Sequence, residues 1–125
     1  MNQFLMKRLI QNIFHEINKT RKQGQKEYAR KSSNVFANFE RVAKSLQLTR
    51  EEVLLVYLLK HIDGISSYVK GHKSQREDIR GRLTDAMVYL CLLWGMVNEN
   101  EYDSATFTSF PGEILSESKE FNGKM

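Results

Sequence analysis

Three aspartates in the second half of the chain are the side chains best suited to metal chemistry. Asp63, Asp78 and Asp85 lie between Thr49 and Val97, where two strongly apolar segments are joined by a short polar turn. Asp78 and Asp85 are seven residues apart, so on a helix both face the same side, two turns from each other. Mg²⁺ takes oxygen ligands and commonly bridges substrate phosphates. A magnesium site is therefore expected here if a preceding antiparallel helix brings Asp63 close to either of the other two.

A cluster of basic residues surrounds the same region and predicts a different chemistry. Lysine and arginine offer charge and several donors to a phosphate, and a helix N-terminus also attracts anions. Lys60 stands among apolar neighbours, where a lysine either extends to solvent or meets a partner. The alternative is thus a site that binds phosphate without cutting it, built from Lys70, His72, Lys73, Arg76, Arg80 and Arg82.

A second basic run, KTRKQGQKEYARK at residues 19–31, carries six basic residues and one acid, Glu27. Such a run is typical of a solvated face or a mobile connector. It is alternatively an anion-binding segment, in which Tyr28 stacks on a base or anchors the loop. Further along, Asn34 and Asn38 are four residues apart, and two amides on one face of a helix can grip a base edge or a phosphate.

Hydrophobic spacing predicts four helices that position these side chains. They cover residues 3 to about 20, residues 34–46, and the two halves of the 49–97 stretch, which we interpret as a helical hairpin. Ser32 or Ser33 is expected to cap the second helix. Thr49 with Glu52, and Ser74 with Glu77, have the spacing of capping boxes at the starts of the two hairpin helices.

Two segments of the hairpin, residues 53–59 and 86–97, are apolar all round. A bundle has one interior, so these helices need a second burial surface, and we expect a homodimer. The predicted fold class is all-α: a four-helix bundle-like domain at residues 1–99 with a long helical hairpin. An irregular C-terminal extension follows at residues 100–125, which hold the only proline.

Composition narrows the function classes. The formal net charge of +4 is a mild basic excess that suits an anionic ligand or nucleic acid. The only cysteine, Cys91, cannot form an internal disulfide, so we expect a reducing compartment and an inert, buried thiol. The apolar run at residues 86–97 is far shorter than the roughly 20 residues that span a bilayer. We expect a cytoplasmic protein without a membrane partner. Glycine-rich phosphate loops, metal-spaced Cys/His sets and nucleophile elbows are absent from the sequence.

Four short segments resemble, in order, the motifs of a helical family common in phages and prophages, the nucleotide modification associated domain family. They are KEYA at 26–29, NVFANF at 34–39, LLKHIDGI at 58–65 and GRLTDAMVYLCLL at 81–93. This family is similar in organisation to the MazG-like all-α nucleotide pyrophosphohydrolases. The resemblance covers residues 24–98 and matches family positions at Lys26, Glu27, Tyr28, Asn38, Phe39, Lys60, Asp85 and Tyr89.

The resemblance implies a phage-type protein of the host cytoplasm that binds a nucleotide or a nucleotide-derived phosphate ligand. As an enzyme it would be a magnesium-dependent nucleoside triphosphate pyrophosphohydrolase, with Asp85 and Asp63 as catalytic metal ligands. Where the related pyrophosphohydrolases have a glutamate three residues before the aspartate, this chain has Arg82. A guanidinium there competes with a metal for phosphates, which favours either a site that holds a nucleotide by charge pairing or a hydrolase whose metal is held differently. The predicted ligand-binding residues are Lys26, Tyr28, Asn38, Phe39, Lys60, Arg82 and Tyr89.

Two alternatives to the hydrolase stay open at this point. A protein that sequesters a signalling nucleotide would use the same basic residues, and Asp85 would orient them or a ribose hydroxyl. A nucleic-acid or protein adaptor would instead use the basic run at residues 19–31 as its interface, and the hairpin would be only a dimer core.

Overall fold

The computed structural model describes residues 1–28, 33–72 and 78–102. All of the regular secondary structure in these ranges is α-helix. The four helices are α1 (Gln3–Tyr28), α2 (Ala37–Leu46), α3 (Arg50–Val69) and α4 (Ile79–Glu101). None of the described residues lies in a β-strand. The predicted all-α class is confirmed.

The chain divides into two compact units, residues 1–93 and residues 94–125. The first unit holds α1, α2, α3 and most of α4. The described part of the second unit is the end of α4 with Tyr102, and Trp94 and Tyr102 are exposed there. Because α4 continues through Glu101, the predicted extension does not begin at residue 100, and residues 103–125 lie outside the described residues.

Helix α1 is longer than predicted, and the interpretation of residues 19–31 as a mobile connector is wrong for residues 19–28. Lysine, arginine, glutamine and glutamate are good helix formers, and the single Gly24 costs only about 1 kcal/mol relative to alanine. The helical spacing also continues, because Ile13, Ile17, Thr20 and Gly24 are less exposed than most of their neighbours. The remaining part of the run, residues 29–32, lies outside the described residues.

Helices α2 and α3 pack together around the best-buried residues of the first unit. Phe39 and Ala43 of α2 and Val53, Leu54 and Leu58 of α3 are all buried. α2 ends where Gln47 adopts the left-handed conformation, with φ of 58°, and its N–H donates to the Ala43 carbonyl. We call this turn, together with Asn34, Phe36, Glu40 and Arg50, the α2–α3 corner.

The predicted N-terminal cap is present at α3 but not at α2. Thr49 Oγ1 accepts from the Glu52 N–H at 3.1 Å, and Glu52 Oε1 accepts from the Thr49 N–H at 2.8 Å, which confirms the predicted capping box. Ser33, however, does not cap α2, which begins at Ala37 after a turn in which Asn34 Oδ1 accepts from the Phe36 N–H at 3.0 Å. The side-chain oxygen of Asn34 therefore takes the local role expected of the serine. Ser32, Ser74 and Glu77 lie outside the described residues.

Helices α3 and α4 run antiparallel in the first unit. Tyr57 stacks with Tyr89, His61 approaches Asp85, and Gly64 lies against Arg82, so positions rise along α3 as they fall along α4. The outer side of α3 is apolar but exposed at Leu55, Val56, Leu59 and Ile62. Cys91, which we expected to be buried, is also exposed. No helix among the described residues is long and apolar enough to cross a membrane.

Candidate ligand pocket

A pocket of about 280 Å³ lies in the first unit and takes its walls from all four helices and the residues just before α2. Ligand sites in proteins commonly have volumes of roughly 300–1,000 Å³. The cavity is therefore at the small end of that range, and it suits one flat ring system better than a large ligand.

Three aromatic rings form one continuous wall of this pocket. The ring centre of Phe39 is 6.0 Å from that of Tyr57 and 6.3 Å from that of Tyr89, and both contacts are edge to face. The two tyrosine rings stack with their centres 6.2 Å apart. Phe39 is buried in the core, so it holds the two half-exposed tyrosines in place from behind. Rings with such geometry attract one another and present π-faces on which a flat ligand can stack. Val35, Val88 and Leu92 complete the apolar lining.

Polar side chains line the same cavity and can recognise a ligand by hydrogen bonds. Asn38 and Gln25 each offer donors and an acceptor, Asp85 offers acceptors, and Arg21 offers donors with a positive charge. Neither Asn38 nor Arg21 makes a side-chain hydrogen bond or ion pair with another residue in the described ranges. Both side chains are thus able to bond a ligand without first breaking an internal contact.

His61 lies behind the carboxylate of Asp85. Its Nε2 is 3.9 Å from Asp85 Oδ2, and its ring centre is 5.4 Å from that of Tyr89. This separation is too long for a direct hydrogen bond. His61 Nδ1 is buried, and no residue in the described part of the chain bonds it. The histidine therefore lies beside Asp85 and Tyr89 and does not line the pocket.

The side chain of Arg82 lies between α3 and α4. A Cβ built on Gly64 would lie 2.5 Å from Nη1 of Arg82 and 2.9 Å from its Cζ, so the guanidinium occupies the space where another residue type would put its side chain. Arg82 is half-buried there and does not line the pocket. Its predicted role in ligand binding stays a prediction.

The pocket brings together four of the residues predicted from the sequence, namely Asn38, Phe39, Asp85 and Tyr89. It does not bring in Lys26, Lys60 or Asp63, which are exposed on α1 and α3. The side chain of Tyr28, the last residue of α1, lies outside the described residues.

The predicted magnesium ligands do not converge in this arrangement. Asp63 follows His61 by two residues, which rotates it by about 200° around the axis of α3. Because His61 faces Asp85, Asp63 lies on a different side of the helix. In the described ranges no three His, Cys, Asp or Glu side chains group so that they could hold a metal ion. The magnesium site of Asp63 and Asp85 therefore stays a prediction.

Sequence reasoning missed several residues that the pocket uses, namely Thr20, Gly24, Gln25 and Tyr57. Arg21 belongs to the run at residues 19–31, for which an anion-binding segment is the alternative interpretation. A signal existed for Tyr57, because it stands four residues before His61 and both interrupt an apolar face. The three missed residues of α1 would have followed from continuing the spacing of Ile13 and Ile17 through residue 24.

Fold and pocket together define an all-α chain with an aromatic-walled pocket that carries amide, carboxylate and guanidinium groups. Comparison with models of protein families, with curated proteins and with solved structures finds no match for this chain.

Proposed function

We propose that this protein binds a nucleotide or a nucleotide-derived phosphate ligand and that the base occupies the aromatic pocket. The observation that carries this proposal is that Phe39, Tyr57 and Tyr89 line the same cavity as the Asn38 amide and the Asp85 carboxylate. A nucleobase has a π-face that stacks on aromatic rings and an edge with donors and acceptors. The pocket complements both features within one small volume.

Each polar group has a distinct part in this proposal. Asn38 is suited to a bidentate contact with a base edge, as asparagine and glutamine make with adenine. Asp85 accepts a hydrogen bond from an amino group of the base or from a ribose hydroxyl. Arg21, on the α1 side of the pocket, pairs with the phosphate, because a guanidinium matches its geometry and charge.

The volume of about 280 Å³ supports this division of roles. It accommodates a base and part of a sugar, so the phosphates would lie outside, on the α1 side. Lys22 and Lys26 are exposed on α1 beside Arg21 and can meet them there. This keeps Lys26 in the predicted ligand-binding set, whereas Lys60 on α3 has no part in it.

The resemblance to the nucleotide modification associated domain family supports the same ligand class. The four matching positions that line the pocket, Asn38, Phe39, Asp85 and Tyr89, are the ones that our proposal uses. The proposal includes this relationship, with the phage-type origin and host-cytoplasmic location that it implies.

Binding without turnover is the activity that the geometry supports better. Asp85 lies near His61, and Asp63 is exposed on another side of α3, so the two carboxylates do not share a ligand. The protein would then hold a nucleotide rather than cleave its phosphates. Magnesium-dependent pyrophosphate release is the competing outcome in the experiment below.

The test is a thermal-shift screen of nucleosides and of ribo- and deoxynucleotides, with and without Mg²⁺, followed by analysis of each mixture for products. A ligand at 100 times its Kd stabilises the folded state by about 2.7 kcal/mol. We expect stabilisation with the ligand recovered unchanged, lost in Asp85→Asn and kept in the matched variant Asp63→Asn. Pyrophosphate release that both variants abolish would establish the hydrolase instead, and no shift with any compound would contradict the proposal.

We propose as well that the four helices form a bundle-like domain and that a second copy of the chain covers the outer side of α3. Leu55, Val56, Leu59 and Ile62 are 44–60% exposed there, although the same helix is buried on its inner side. Burying such a face is strongly favourable. Light scattering should give twice the 14.6 kDa of one chain. Leu59→Lys should give monomers and Gln11→Lys, on the polar side of α1, should not; a monomeric wild type would overturn the dimer.

A further inference from the structure

We infer that the ligand of the pocket is single-stranded nucleic acid, with one base in the aromatic pocket and the phosphate backbone along α1. The inference rests on the proposed function, because it requires the pocket to take a base. It goes further by replacing a free nucleotide with a polymer.

A stripe of basic side chains runs along the exposed face of α1. Its members follow one another at spacings of seven, four, three and four residues, which places them on one side of a helix. At 1.5 Å per residue the stripe is about 27 Å long. All of its members are exposed: Arg8, His15, Lys19, Lys22 and Lys26. We call this set the basic stripe.

The positive charge of the basic stripe is not neutralised by neighbours. Neither Arg8 nor the three lysines of the stripe form an ion pair with any residue that the structure describes. Helix α1 has six basic and two acidic residues, while the rest of the chain has 13 of each, so α1 carries the whole net charge of +4. Such a concentrated positive field attracts a polyanion in preference to a single phosphate.

The basic stripe is connected to the aromatic pocket. A shallow hollow of about 630 Å³ on α1 is lined by His15, Asn18, Lys19, Arg21, Lys22 and Gln25. Arg21 and Gln25 line the aromatic pocket as well. A base in the pocket therefore places its own phosphate near Arg21, and the neighbouring phosphates continue over the hollow toward the stripe.

The length of the stripe decides between a nucleotide and a polymer. One nucleotide with its base in the pocket reaches Arg21 and the nearest lysine, but it cannot reach along a stripe of about 27 Å. Single-strand binding sites combine aromatic stacking platforms with a positive groove that follows the backbone, over roughly 4–16 nucleotides. The pocket, and the hollow that leads from it around α1 to the stripe, provide these two parts.

An anionic membrane surface is the other polyanion that such a helix could meet, since Phe4, Leu5, Leu9 and Ile10 are exposed on α1. The distribution of charge favours nucleic acid. Four of the six basic residues of α1 lie at residues 19–26, in the half of the helix that also lines the aromatic pocket, and only two lie among the exposed apolar residues of the first half. The charge thus accompanies the pocket and not the apolar surface.

The test is fluorescence anisotropy with labelled single-stranded DNA and RNA of about 12 nucleotides, within known site sizes, beside calorimetric titration with the matching mononucleotides. The variant Lys22→Gln/Lys26→Gln is compared with Lys7→Gln/Lys44→Gln, which removes equal charge elsewhere, and circular dichroism verifies that both are folded. We expect the oligonucleotide to bind at least about tenfold more tightly than the mononucleotide. The slope of the logarithm of the binding constant against the logarithm of the salt concentration should become shallower by about 1.4 in the stripe variant, because each lost phosphate contact removes about 0.7. The slope of the control variant should not change.

The outcomes separate this inference from the proposed function. Equal affinity for mononucleotide and oligonucleotide would overturn the polymer and leave the proposed function standing. Absence of binding to both would overturn the proposed function and the inference together. A third outcome is that vesicles of phosphatidylserine and phosphatidylcholine bind the wild type but not the stripe variant, while no oligonucleotide binds. The stripe would then be a membrane-binding surface and the inference would be wrong.

Discussion

At the α2–α3 corner, charged and amide side chains form hydrogen bonds and an ion pair with one another. Asn34 donates to Glu40 at 2.7 Å, Glu40 accepts from Arg50 at 2.9 Å, and the Arg50 guanidinium lies 4.9 Å from the centre of the Phe36 ring. In the pocket, Asn38 and Arg21 bond no residue within the described parts of the chain, and Asp85 is 3.9 Å from His61. The same residue types thus hold the corner closed and leave the pocket able to bond a ligand.

The two asparagines at the start of α2 show what this comparison teaches. From their spacing, Asn34 and Asn38 both belong to a face that could grip a base. In the structure Asn34 is used up by its bonds to the Phe36 N–H and to Glu40, while Asn38 lines the cavity. The amide of Asn38 is half-buried and bonds no residue in the described ranges. We therefore interpret Asn38 as a recognition residue and Asn34 as a structural one.

The largest effect is expected in the core beneath the corner. Leu54 is fully buried, and Leu54→Ala should lower the free energy of unfolding by about 2–5 kcal/mol, because it removes apolar contacts and leaves a cavity. The neighbouring Leu55 is 46% exposed, so Leu55→Ala should cost much less in the monomer. Urea unfolding at low protein concentration measures both, and equal losses would show that the core is placed wrongly.

The next effect separates the pocket from the corner through an aromatic ring. Tyr89→Leu should weaken ligand binding about ten- to a hundredfold, because stacking on one ring contributes roughly 1–3 kcal/mol per base. Tyr102→Leu removes an exposed tyrosine outside the pocket and serves as the matched control. Calorimetric titration gives both affinities. An unchanged Kd in a folded Tyr89→Leu protein would remove the ring from the site.

The asparagine pair gives the most direct contrast at an intermediate size. Asn34→Ala should destabilise the fold by about 1 kcal/mol and leave ligand affinity unchanged, because it deletes bonds within the corner. Asn38→Ala should leave stability within about 0.5 kcal/mol and weaken binding roughly two- to tenfold. Thermal unfolding and calorimetry on the same samples measure both quantities. Exchange of these two results would reverse our assignment.

A smaller effect of opposite sign is expected at Gly24. A Cβ there meets nothing within 4 Å, so Gly24→Ala should stabilise α1 by up to about 1 kcal/mol through helix propensity. The added methyl would enter the pocket, so ligand affinity should fall. Gly81 is equally open but lies outside the pocket, and Gly81→Ala should stabilise the fold without weakening binding. If Gly24→Ala bound as well as Gly81→Ala, this edge of the pocket would be wrong.

The parts of the structure that local chemistry determines were predictable from the sequence. The capping box of Thr49 and Glu52 needs only two side chains three residues apart, and the sequence shows both. The end of α1 was missed, because a basic run with a glycine suits both a connector and a helix. What favours the helix is the high helix propensity of its lysine, arginine, glutamine and glutamate residues, together with the lower exposure of Thr20 and Gly24, which line the pocket.

The candidate site was partly predictable for a similar reason. Asn38, Phe39, Asp85 and Tyr89 stand in motifs and are brought together by the fold. Tyr57 and Arg21 join them only because the fold places α1 and α3 around the same cavity as α2 and α4, which no single spacing specifies. Lys60 and Asp63 interrupt an apolar sequence, which suggested a site, but both side chains are exposed on α3 and neither lines the pocket.

The most direct test of the central claim is a map of NMR chemical-shift changes while a nucleoside monophosphate is titrated into the labelled protein, with ribose 5-phosphate as the control. The account predicts that the side-chain amide of Asn38 and the backbone amides of Tyr57, Asp85 and Tyr89 shift with the nucleotide and not with the sugar phosphate. Amides of the α2–α3 corner, such as that of Arg50, should remain in place. Shifts confined to the corner or to the outer side of α3, or equal shifts with ribose 5-phosphate, would contradict a base in the aromatic pocket.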